Sequence, residues 1–360
     1  MNVLIDINHP AHVHLFRNVY SELIKDGHHV YVAAKPTNAI TALLRLYGIP
    51  YLRMGKNKDS IIGKGIQQIL DFFRLLWIVW NKKIGIGVHG ITLAWVSRIS
   101  RMRCIISDDD DDEVEPLYTK YAHPFVDAIL SPVGTSRKSK RTIYVNAYHE
   151  LAYLHPNRFQ PDPSVLKDAG VEEGEPYFIL RFNAFKAHHD IGVVGLSIDN
   201  KRRLVEYLRT KGKVFITTER DIDDEFKQYQ LKVSPEKAHS LMYYATMLVG
   251  DSQTMTSEAA VLGTPAIRCN TFVGRIHYLE EEEHKYGLTY GFRPDQSEAM
   301  FQKIEELLSM PNLKQEWQIR RQKMLSEKID YAQFLTWFIE NYPESRKIMR
   351  ENPDYQFRFK

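Results

Sequence analysis

The residues best suited to binding a phosphate lie in one short turn, 250–254, which reads Gly-Asp-Ser-Gln-Thr and follows an apolar run. A helix is predicted to begin at Gln253 and to end at Leu262, because a serine cap precedes it and a glycine follows it. The amino end of a helix presents free N–H groups and a positive dipole, which favour an anion. We therefore predict that the diphosphate of a nucleotide contacts Ser252, Gln253 and Thr254. The same pattern also fits an ordinary strand–helix–strand unit.

Charged residues nearby could complete a site for a nucleotide sugar. Glu258, within two turns of the helix start, can accept hydrogen bonds from a pair of sugar hydroxyls. Arg181 and Lys186 follow another predicted strand, and Arg268 ends the strand after Pro265. Cationic groups beside a diphosphate stabilise the negative charge that grows on the leaving group as a glycosidic bond breaks. A solvated polar loop and a surface arginine are the alternatives for these residues.

Three histidines lie within six residues, at the turn after the first predicted strand: His9, His12 and His14. An imidazole near the amino end of a helix has a lowered proton affinity, so it can accept a proton from a hydroxyl near neutral pH. We therefore predict His12 as a catalytic base. His9 and His14 are predicted to contact the acceptor, the molecule whose hydroxyl would receive the sugar. Helix capping and metal binding are the alternatives, although no glutamate-containing zinc motif accompanies the histidines.

Acidic residues and a glycine-rich turn follow two other strands of the first half. The run Asp108–Glu113 comes directly after the apolar strand that ends at Ser107. Adjacent carboxylates repel one another and attract a cation or a polyhydroxyl ligand. Asp108 is predicted to be catalytic and Asp109 to contact the acceptor, whereas most of the run is expected to be a solvated loop and no metal site is predicted. His89, in the glycine-rich turn, is a further predicted acceptor contact.

An alternation of short apolar strands and helical patterns positions these loops and predicts parallel sheets covered on both faces. The chain has 360 residues, and domains of roughly 100–200 residues predict two of them. We expect an α/β protein of two Rossmann-like, doubly wound domains facing a central cleft, where such folds bind ligands. In the second half, strands are predicted near 177–181, 213–217, 230–233, 246–249 and 265–268.

The domain boundaries follow from a proline-rich segment, 155–163, which resists regular structure and suits a link. Residues 1–165 are predicted to form the acceptor-side domain and residues 166–328 the donor-side domain. Residues 329–360 are predicted to form a terminal helix, with packing on the first domain as one option, followed by a loosely held tail.

The composition limits the classes of function. Hydrophobic residues make up 44% of the chain and charged residues 26%, as is typical of a globular protein. A formal charge of +3, with lysine and arginine spread out, argues against nucleic acid as a partner. Cys104 and Cys269 lie far apart, so neither a disulfide framework nor a zinc site is indicated. Met1 leads directly into a strand without a signal-peptide pattern, so a cytoplasmic protein is expected.

The predicted helix near 61–82 is rich in large apolar residues. Polar residues interrupt it too often for a membrane span, namely Gln67, Gln68, Asp71 and Arg74. Packing on the sheet is the main interpretation. The alternative is peripheral contact with the inner face of a membrane that carries a lipid-linked acceptor.

Three stretches of the chain resemble a known superfamily: Asp6–Phe16, His149–Tyr153 and the segment 250–268. The chain resembles the GT-B superfamily, which contains nucleotide-sugar glycosyltransferases and the hydrolysing UDP-N-acetylglucosamine 2-epimerases. More narrowly, it is similar over nearly its whole length to a bacterial and archaeal group of glycosyltransferase-like proteins described only as a domain of unknown function.

The wider superfamily implies roles for particular residues. Ser252–Pro265 looks like its donor signature, in which the helix amino end binds the diphosphate and a glutamate, here Glu258, binds the ribose. His12 matches a histidine that the N-acetylglucosaminyltransferase of lipid-II synthesis carries in a glycine-rich turn, although 9–11 reads His-Pro-Ala here. The epimerases have a Gly-Asp-Thr turn after the fourth strand, where this chain has Ile91 in place of the aspartate. The missing carboxylate counts against epimerisation.

The resemblance and the residues together predict a glycosyltransferase. It would move a sugar from a nucleotide-diphosphate donor, with UDP as the expected nucleotide, to a hydroxyl of a glycan or lipid-linked acceptor in cell-surface glycan synthesis. The nucleotide sugar would be a substrate, with no cofactor and no required metal. An epimerase-like enzyme or nucleotide-sugar hydrolase is one alternative. A non-catalytic nucleotide-sugar-binding protein is the other.

Overall fold

The computed structural model describes residues 1–56, 60–137, 139–182, 195–218 and 222–360. The chain forms two compact units. Unit 1 contains residues 1–158 and 328–360, and unit 2 contains residues 159–327. The sequence predicts the first boundary between residues 165 and 166 and the second between residues 328 and 329.

Unit 1 is built on a seven-stranded sheet in which all the described strand pairs are parallel. Its strand order is β3-β2-β1-β4-β5-β6-β7. The strands are β1 (Asn2–Ile7), β2 (His29–Ala34), β3 (Leu52–Arg53), β4 (Ile86–Val88), β5 (Arg103–Ser107), β6 (Ala128–Pro132) and β7 (Thr142–Val145). The helices are α1 (Pro10–Lys25), α2 (Asn38–Leu46), α3 (Ile61–Asn81), α4 (Ile91–Arg98), α5 (Pro116–Tyr121) and α6 (Leu151–Leu154).

The central strands of unit 1 carry continuous apolar runs because both faces of the sheet are covered. In β1, Val3, Leu4 and Ile5 are fully buried. Such continuous apolar runs are typical of parallel sheets, whereas a half-exposed strand alternates in polarity. β7, which the sequence does not predict, is an edge strand with alternating burial, and Tyr144 on it is exposed.

Unit 2 contains a five-stranded sheet with parallel pairing and the order β12-β11-β10-β8-β9. The strands are β8 (Tyr177–Arg181), β9 (Lys213–Thr217), β10 (Met247–Gly250), β11 (Ala266–Cys269) and β12 (Thr289–Phe292). The helices are α7 (Ser164–Asp168), α8 (Ile198–Arg209), α9 (Ala238–Tyr244), α10 (Gln253–Leu262), α11 (His277–Glu280), α12 (Ser297–Leu308) and α13 (Leu313–Glu327). A π-helical turn, Glu281–Lys285, continues α11.

One predicted strand of unit 2 is wrong. Residues 230–233 form no strand, and Gln230 makes only an isolated bridge to Ile216. Lys232 and Ser234 are exposed, and Pro235 follows at once. A segment that buries so little side-chain surface and runs into a proline gains little from continuing the ladder.

The C-terminal segment returns to unit 1 as two helices, α14 (Tyr331–Glu340) and α15 (Glu344–Glu351). α14 packs against α1 and α6. The sequence predicts a loosely held tail from Pro343 on, but Ser345 and Met349 are buried and the Gln356 side chain accepts a hydrogen bond from the Asn146 N–H at 2.6 Å. The tail is ordered because these few side chains find partners on unit 1, and composition alone does not reveal this.

Among the described residues, no helix combines the length and the apolar character that a membrane span needs.

Candidate functional site

The carboxyl ends of parallel strands meet at one edge of a sheet, and the loops there carry the predicted residues of unit 1. His9 is the cap of α1: its Nδ1 accepts a hydrogen bond from the Ala11 N–H at 3.2 Å, and Pro10 occupies the first helical position. His9 is exposed, whereas His12, in the first turn of α1, is only partly so. The turn therefore presents His12 at the edge of the sheet with its backbone fixed by the cap.

His12 packs against a second histidine from the neighbouring strand. The ring centroids of His12 and His89 lie 4.2 Å apart in an edge-to-face arrangement. The backbone of His89 has φ +68°, a left-handed conformation that residues other than glycine rarely adopt. Gly90 follows with φ +85°, and a Cβ there would lie 2.1 Å from Oδ2 of Asp6. This turn after β4 is held in a strained form, and such strain often marks functional sites.

Both imidazoles are neutral at physiological pH. Burial, reinforced by the nearby His149, lowers the pKa of His89 to about 4. Burial also lowers the pKa of His12 well below its ordinary value, with added repulsion from His89, His9 and His149. Burial raises the pKa of Asp6 to about 6, against a hydrogen bond from Asn8. The edge of the sheet therefore offers uncharged imidazoles that can exchange protons.

The hydrogen bonds define what each imidazole presents. Nδ1 of His12 accepts a long hydrogen bond of 3.4 Å from the Asn8 N–H. His89 donates to the backbone of Ser107, and its Nδ1 has no hydrogen-bond partner within the described part of the chain. Because a neutral imidazole has one donor and one acceptor nitrogen, Nδ1 of His89 is a buried acceptor without a donor.

Asp109 belongs to a hydrogen-bonded chain that the sequence does not predict. His149 Nδ1 lies 3.0 Å from Oδ2 of Asp109, and its Nε2 lies 2.6 Å from Oγ of Ser107. Ser107 also bonds to the hydroxyl of Tyr331 on α14. Ser107 is buried, so this Ser-His-Asp order positions the His149 ring and does not expose a nucleophile.

Asp108, predicted to be catalytic, is the centre of a buried ion-pair cluster. Its Oδ2 lies 2.8 Å from Nη1 of Arg137 and 2.7 Å from Nε2 of His123. Burial opposes ionisation of Asp108, but the hydrogen bond from His123 and the charge of Arg137 outweigh it and lower its pKa. Asp111 accepts from the Ser136 N–H at 2.8 Å. The acidic run is therefore folded around Arg137 and is not the solvated loop that the sequence predicts.

His14 lies apart from the other histidines. Two residues beyond His12 on a helix, it points in a different direction. Its Nδ1 lies 3.3 Å from the hydroxyl of Tyr47, and its ring packs on Tyr153 at 5.3 Å. The structure thus brings His12 and His89 together but separates His14 from them, and its predicted acceptor contact is not supported by this placement.

The carboxyl edge of the sheet in unit 2 presents the predicted phosphate-binding turn. Oγ of Ser252 accepts from the Met255 N–H at 3.3 Å and caps α10. Gln253 and Thr254 are partly exposed. Gly250 is required, since a Cβ there would lie 2.2 Å from the carbonyl oxygen of Arg181. The tip of α10 therefore has a buried serine cap, with partly exposed residues at Gln253 and Thr254.

Glu258 lies on α10 beyond this tip and is held by a partner from α9. Its Oε1 lies 2.9 Å from Nε2 of His239, and both side chains are buried. The two residues are 19 positions apart in sequence. A carboxylate fixed in this way can accept hydrogen bonds in one defined orientation.

Arg268 lies at the carboxyl end of β11, between two glycines. Its register partners are Gly250 on β10 and Gly291 on β12. The side chain is fully buried, and its Nη2 lies 2.6 Å from Oε1 of Glu280. Nε and Nη1 have no hydrogen-bond partner in the described residues. Buried guanidinium N–H groups are normally hydrogen-bonded, so these two are an exception in this chain.

Two further residues are predicted to bind the nucleotide-sugar donor, Arg181 and Lys186. Arg181 is partly exposed at the end of β8, and its Nη1 donates to Oγ1 of Thr217 at 3.1 Å. Lys186 lies outside the described residues. In the described parts of the chain, no group of three or more histidine, cysteine, aspartate or glutamate residues could hold a metal ion.

The sequence analysis does not predict the side chains that contact and orient the predicted site residues. They are Ser107, Arg137, His149, His239 and Tyr331. Only His149 carried a signal, since it begins one of the stretches that resemble the GT-B superfamily. The others contact their partners across long sequence separations, and no local pattern records such contacts.

Comparison with known proteins identifies the family. The family model described as "Protein of unknown function (DUF354)" matches residues 1–286, and the chain belongs to this family. An uncharacterized protein of Methanocaldococcus jannaschii, MJ0665, is 21% identical over 307 residues, which cover 79% of this chain and 86% of that protein. Neither description assigns an activity.

Solved structures share the fold over nearly the whole chain. MnaA of S. aureus in complex with UDP has a TM-score of 0.68 at 11% identity, covering 96% of this chain and 97% of that chain. UDP-GlcNAc 2-epimerase from Neisseria meningitidis bound to UDP-GlcNAc has a TM-score of 0.63 at 12% identity, and the match covers 94% of this chain and 98% of that chain. A glycosyltransferase from Rickettsia africae has a TM-score of 0.56 at 11% identity, and the match covers 96% of this chain and 98% of that chain. The predicted GT-B fold, with two parallel-sheet α/β units, is confirmed.

Proposed function

We propose that this member of the DUF354 family is a glycosyltransferase that moves a sugar from a UDP-linked donor to a hydroxyl of a glycan or lipid-linked acceptor. The observation that carries the proposal is the serine-capped tip of α10, partly exposed at Gln253 and Thr254, with the fixed carboxylate of Glu258 on the same helix. The fold likeness to structures that contain UDP and UDP-GlcNAc supports a nucleotide sugar as the ligand. We place the reaction in the cytoplasm, in the synthesis of cell-surface glycans.

The donor would bind to unit 2. Its diphosphate would meet the free N–H groups of α10 and the hydroxyls of Ser252 and Thr254, which can donate to phosphate oxygens. Arg268, fully buried at this edge and ion-paired with Glu280, has two N–H groups for which no described residue is a hydrogen-bond acceptor. Arg181, partly exposed on the adjacent strand, is a second cation for the leaving diphosphate.

The ribose would be recognised by Glu258. An ionised carboxylate can accept hydrogen bonds from both hydroxyls of a vicinal diol. The hydrogen bond from His239 orients the carboxylate, so less conformational entropy is lost when the ribose binds.

The acceptor would be activated in unit 1 by His12. In the transfer step the acceptor oxygen forms a bond to the anomeric carbon of the sugar, and the bond from that carbon to the diphosphate oxygen breaks. The hydroxyl proton passes to the neutral imidazole of His12, and UDP leaves with the electron pair. The hydrogen bond from the Asn8 N–H to Nδ1 of His12 is long, so it restrains the tautomer of the ring only weakly.

Asp108 is not assigned the role of base, because Arg137 and His123 already occupy its carboxylate. Asp109 would act by orienting His149. No step of this scheme needs a cofactor or a metal ion, and the nucleotide sugar enters only as a substrate.

An epimerase-like or hydrolytic activity is the second candidate. The likeness to the N. meningitidis UDP-GlcNAc 2-epimerase favours it. Against it, Ile91 stands at the start of α4 where a carboxylate would be needed. The two activities differ in a simple way, since only the transferase requires an acceptor.

The proposal is tested by measuring UDP release from a panel of UDP-sugars with and without glycan and lipid-linked acceptors. We expect acceptor-dependent release, slowed about 100-fold or more by His12→Ala. His14→Ala is the matched control, because His14 lies on the same helix but contacts Tyr47 and Tyr153. Release of UDP without acceptor, together with an altered free sugar, would indicate the epimerase or hydrolase. UDP binding without any turnover would leave a nucleotide-sugar-binding protein.

A further inference from the structure

The outer face of α3 carries an unusual row of exposed apolar side chains. Seven large residues on this helix are each 55–78% exposed: Ile62, Ile66, Ile69, Leu70, Phe73, Trp77 and Trp80. Their spacing of three or four residues places them along one side of the helix. At 1.5 Å per residue, the 21 residues of α3 span roughly 30 Å. Single exposed apolar residues are common, but a continuous row of this kind marks an interaction surface.

The opposite face of α3 is anchored in the core of unit 1. Leu75, Leu76, Ile78 and Val79 are buried against Leu4 and other residues of the sheet and of α4. The Asp71 carboxylate, also buried, accepts from the Gly55 N–H at 2.9 Å. The helix is therefore fixed in place, and its exposed row does not result from loose packing.

Within residues 60–83, the charged side chains that are exposed or partly exposed are all positive. Lys64, Arg74 and Lys83 are exposed, and Lys82 is partly so. The only acidic residue in 60–83 is Asp71, which is buried. An apolar row with two tryptophans and a basic border is complementary to a membrane surface of negative charge.

We propose that α3 docks the protein on an anionic lipid bilayer. The helix would lie in the plane of the interface, with its apolar row among the acyl chains and with Trp77 and Trp80 at the level of the headgroups, where indole rings are favoured. Lys64, Arg74 and Lys83 would face the lipid phosphates. A second copy of this chain is a poorer occupant, because two-fold pairing of the same face would set one basic border against the other.

The position of α3 links this surface to the acceptor side. α3 follows β3, so its amino end lies at the carboxyl edge of the sheet, and Gln68 donates to Oγ1 of Thr92 in the first turn of α4. α4 begins directly after His89 and Gly90. If the proposed function holds, a bilayer at α3 would bring a lipid-linked acceptor to the unit that carries His12. This last step rests on the proposed function, whereas the docking does not.

The test is binding of the full chain to vesicles of phosphatidylcholine alone and of phosphatidylcholine with phosphatidylglycerol. Flotation measures the bound fraction, and tryptophan fluorescence with brominated lipids reports insertion. We expect binding to the anionic vesicles that weakens with salt. The double variant Trp77→Ser/Trp80→Ser should lose about tenfold or more in affinity. The control Ile319→Ser, on α13, removes a side chain that is 59% exposed and should bind as the wild type does.

The basic border is tested separately. Lys64→Glu/Arg74→Glu should abolish the preference for anionic vesicles, whereas Lys211→Glu/Lys232→Glu, with the same change in net charge at exposed sites of unit 2, should retain it. UDP titrations on the same variants keep this result distinct from the proposed function, since docking and nucleotide binding can each fail alone.

Two outcomes would overturn the docking proposal. One is absence of vesicle binding by the wild type, or equal loss in the α3 and control variants. The other is a dimer in sedimentation that Trp77→Ser/Trp80→Ser converts to a monomer, which would show that a second copy covers the row.

Discussion

At the scale of single residues, the candidate site depends on histidines whose environment keeps them neutral. His89 combines a left-handed backbone, a buried ring and an Nδ1 that no described residue bonds. His12 lies against it at 4.2 Å. A buried neutral imidazole is stable only while the pH stays above its lowered pKa, so this arrangement has a measurable consequence.

We predict that His89 makes the protein less stable in mild acid. Its pKa is about 4 in the folded chain and roughly 6.5 in the unfolded chain. Between these values the unfolded chain binds a proton that the folded chain does not, so the free energy of unfolding falls as the pH falls. From pH 7 to pH 5 the contribution of His89 should decline by about 2 kcal/mol.

Urea unfolding at pH 7 and pH 5 measures this contribution as a difference between wild type and His89→Asn, since asparagine tolerates the left-handed backbone. The exposed His29→Gln is the control. An identical pH dependence in wild type and His89→Asn would show that His89 is not buried as a neutral ring.

At the scale of secondary structure, local signals were sufficient for some elements and not for others. α10 runs from Gln253 to Leu262, as the pattern predicts, because its serine cap and its left-handed Gly263 are both encoded locally. β7 and β12, which the sequence does not predict, are edge strands that can be recognised only from their pairing with β6 and β11. The predicted strand at 230–233 failed for the converse reason, since it has an apolar pattern but almost no partner.

The same distinction applies to the candidate site. The placement of Ser252, Glu258 and His12 could be predicted because each lies in a turn or helix whose own sequence identifies it. The contact of Glu258 with His239, and that of Asp108 with Arg137, join residues 19 and 29 positions apart. Such contacts depend on how helices and loops pack on a sheet, which a single sequence does not specify.

The close approach of β8 and β10 gives a prediction for the turn that is proposed to bind the diphosphate. Gly250→Ala would place a Cβ 2.2 Å from the Arg181 carbonyl oxygen, so the two strands must separate. We expect a loss of roughly 2 kcal/mol or more in stability and weaker UDP binding, since the turn leads into α10. Gly65→Ala in α3 is the matched control. A Cβ there meets nothing within 4 Å, and helix propensity should stabilise it slightly. Thermal unfolding distinguishes the two variants. If Gly250→Ala unfolds at the same temperature as the wild type, the close packing of β8 on β10 is refuted.

At the scale of the whole molecule, the chain leaves unit 1 near Arg158 and returns to it at Lys328. Asp330 fixes the return: its carboxylate accepts from Nε of Arg158 at 2.6 Å and caps α14 through the Gln333 N–H. Tyr331 then reaches Ser107 in the proposed acceptor side. The C-terminal segment is thus part of the unit that holds the histidines, while the proposed donor site belongs entirely to unit 2.

The most direct measurement is an isothermal titration of UDP into the full chain and two variants. We predict saturable binding by the wild type and a loss of about tenfold or more for Glu258→Gln, which removes the charge that would accept the ribose hydroxyls. Glu298→Gln, at an exposed ion pair with Arg203 on the same unit, should bind UDP as the wild type does. Absence of binding by the wild type, or equal binding by Glu258→Gln, would contradict a nucleotide site at the tip of α10.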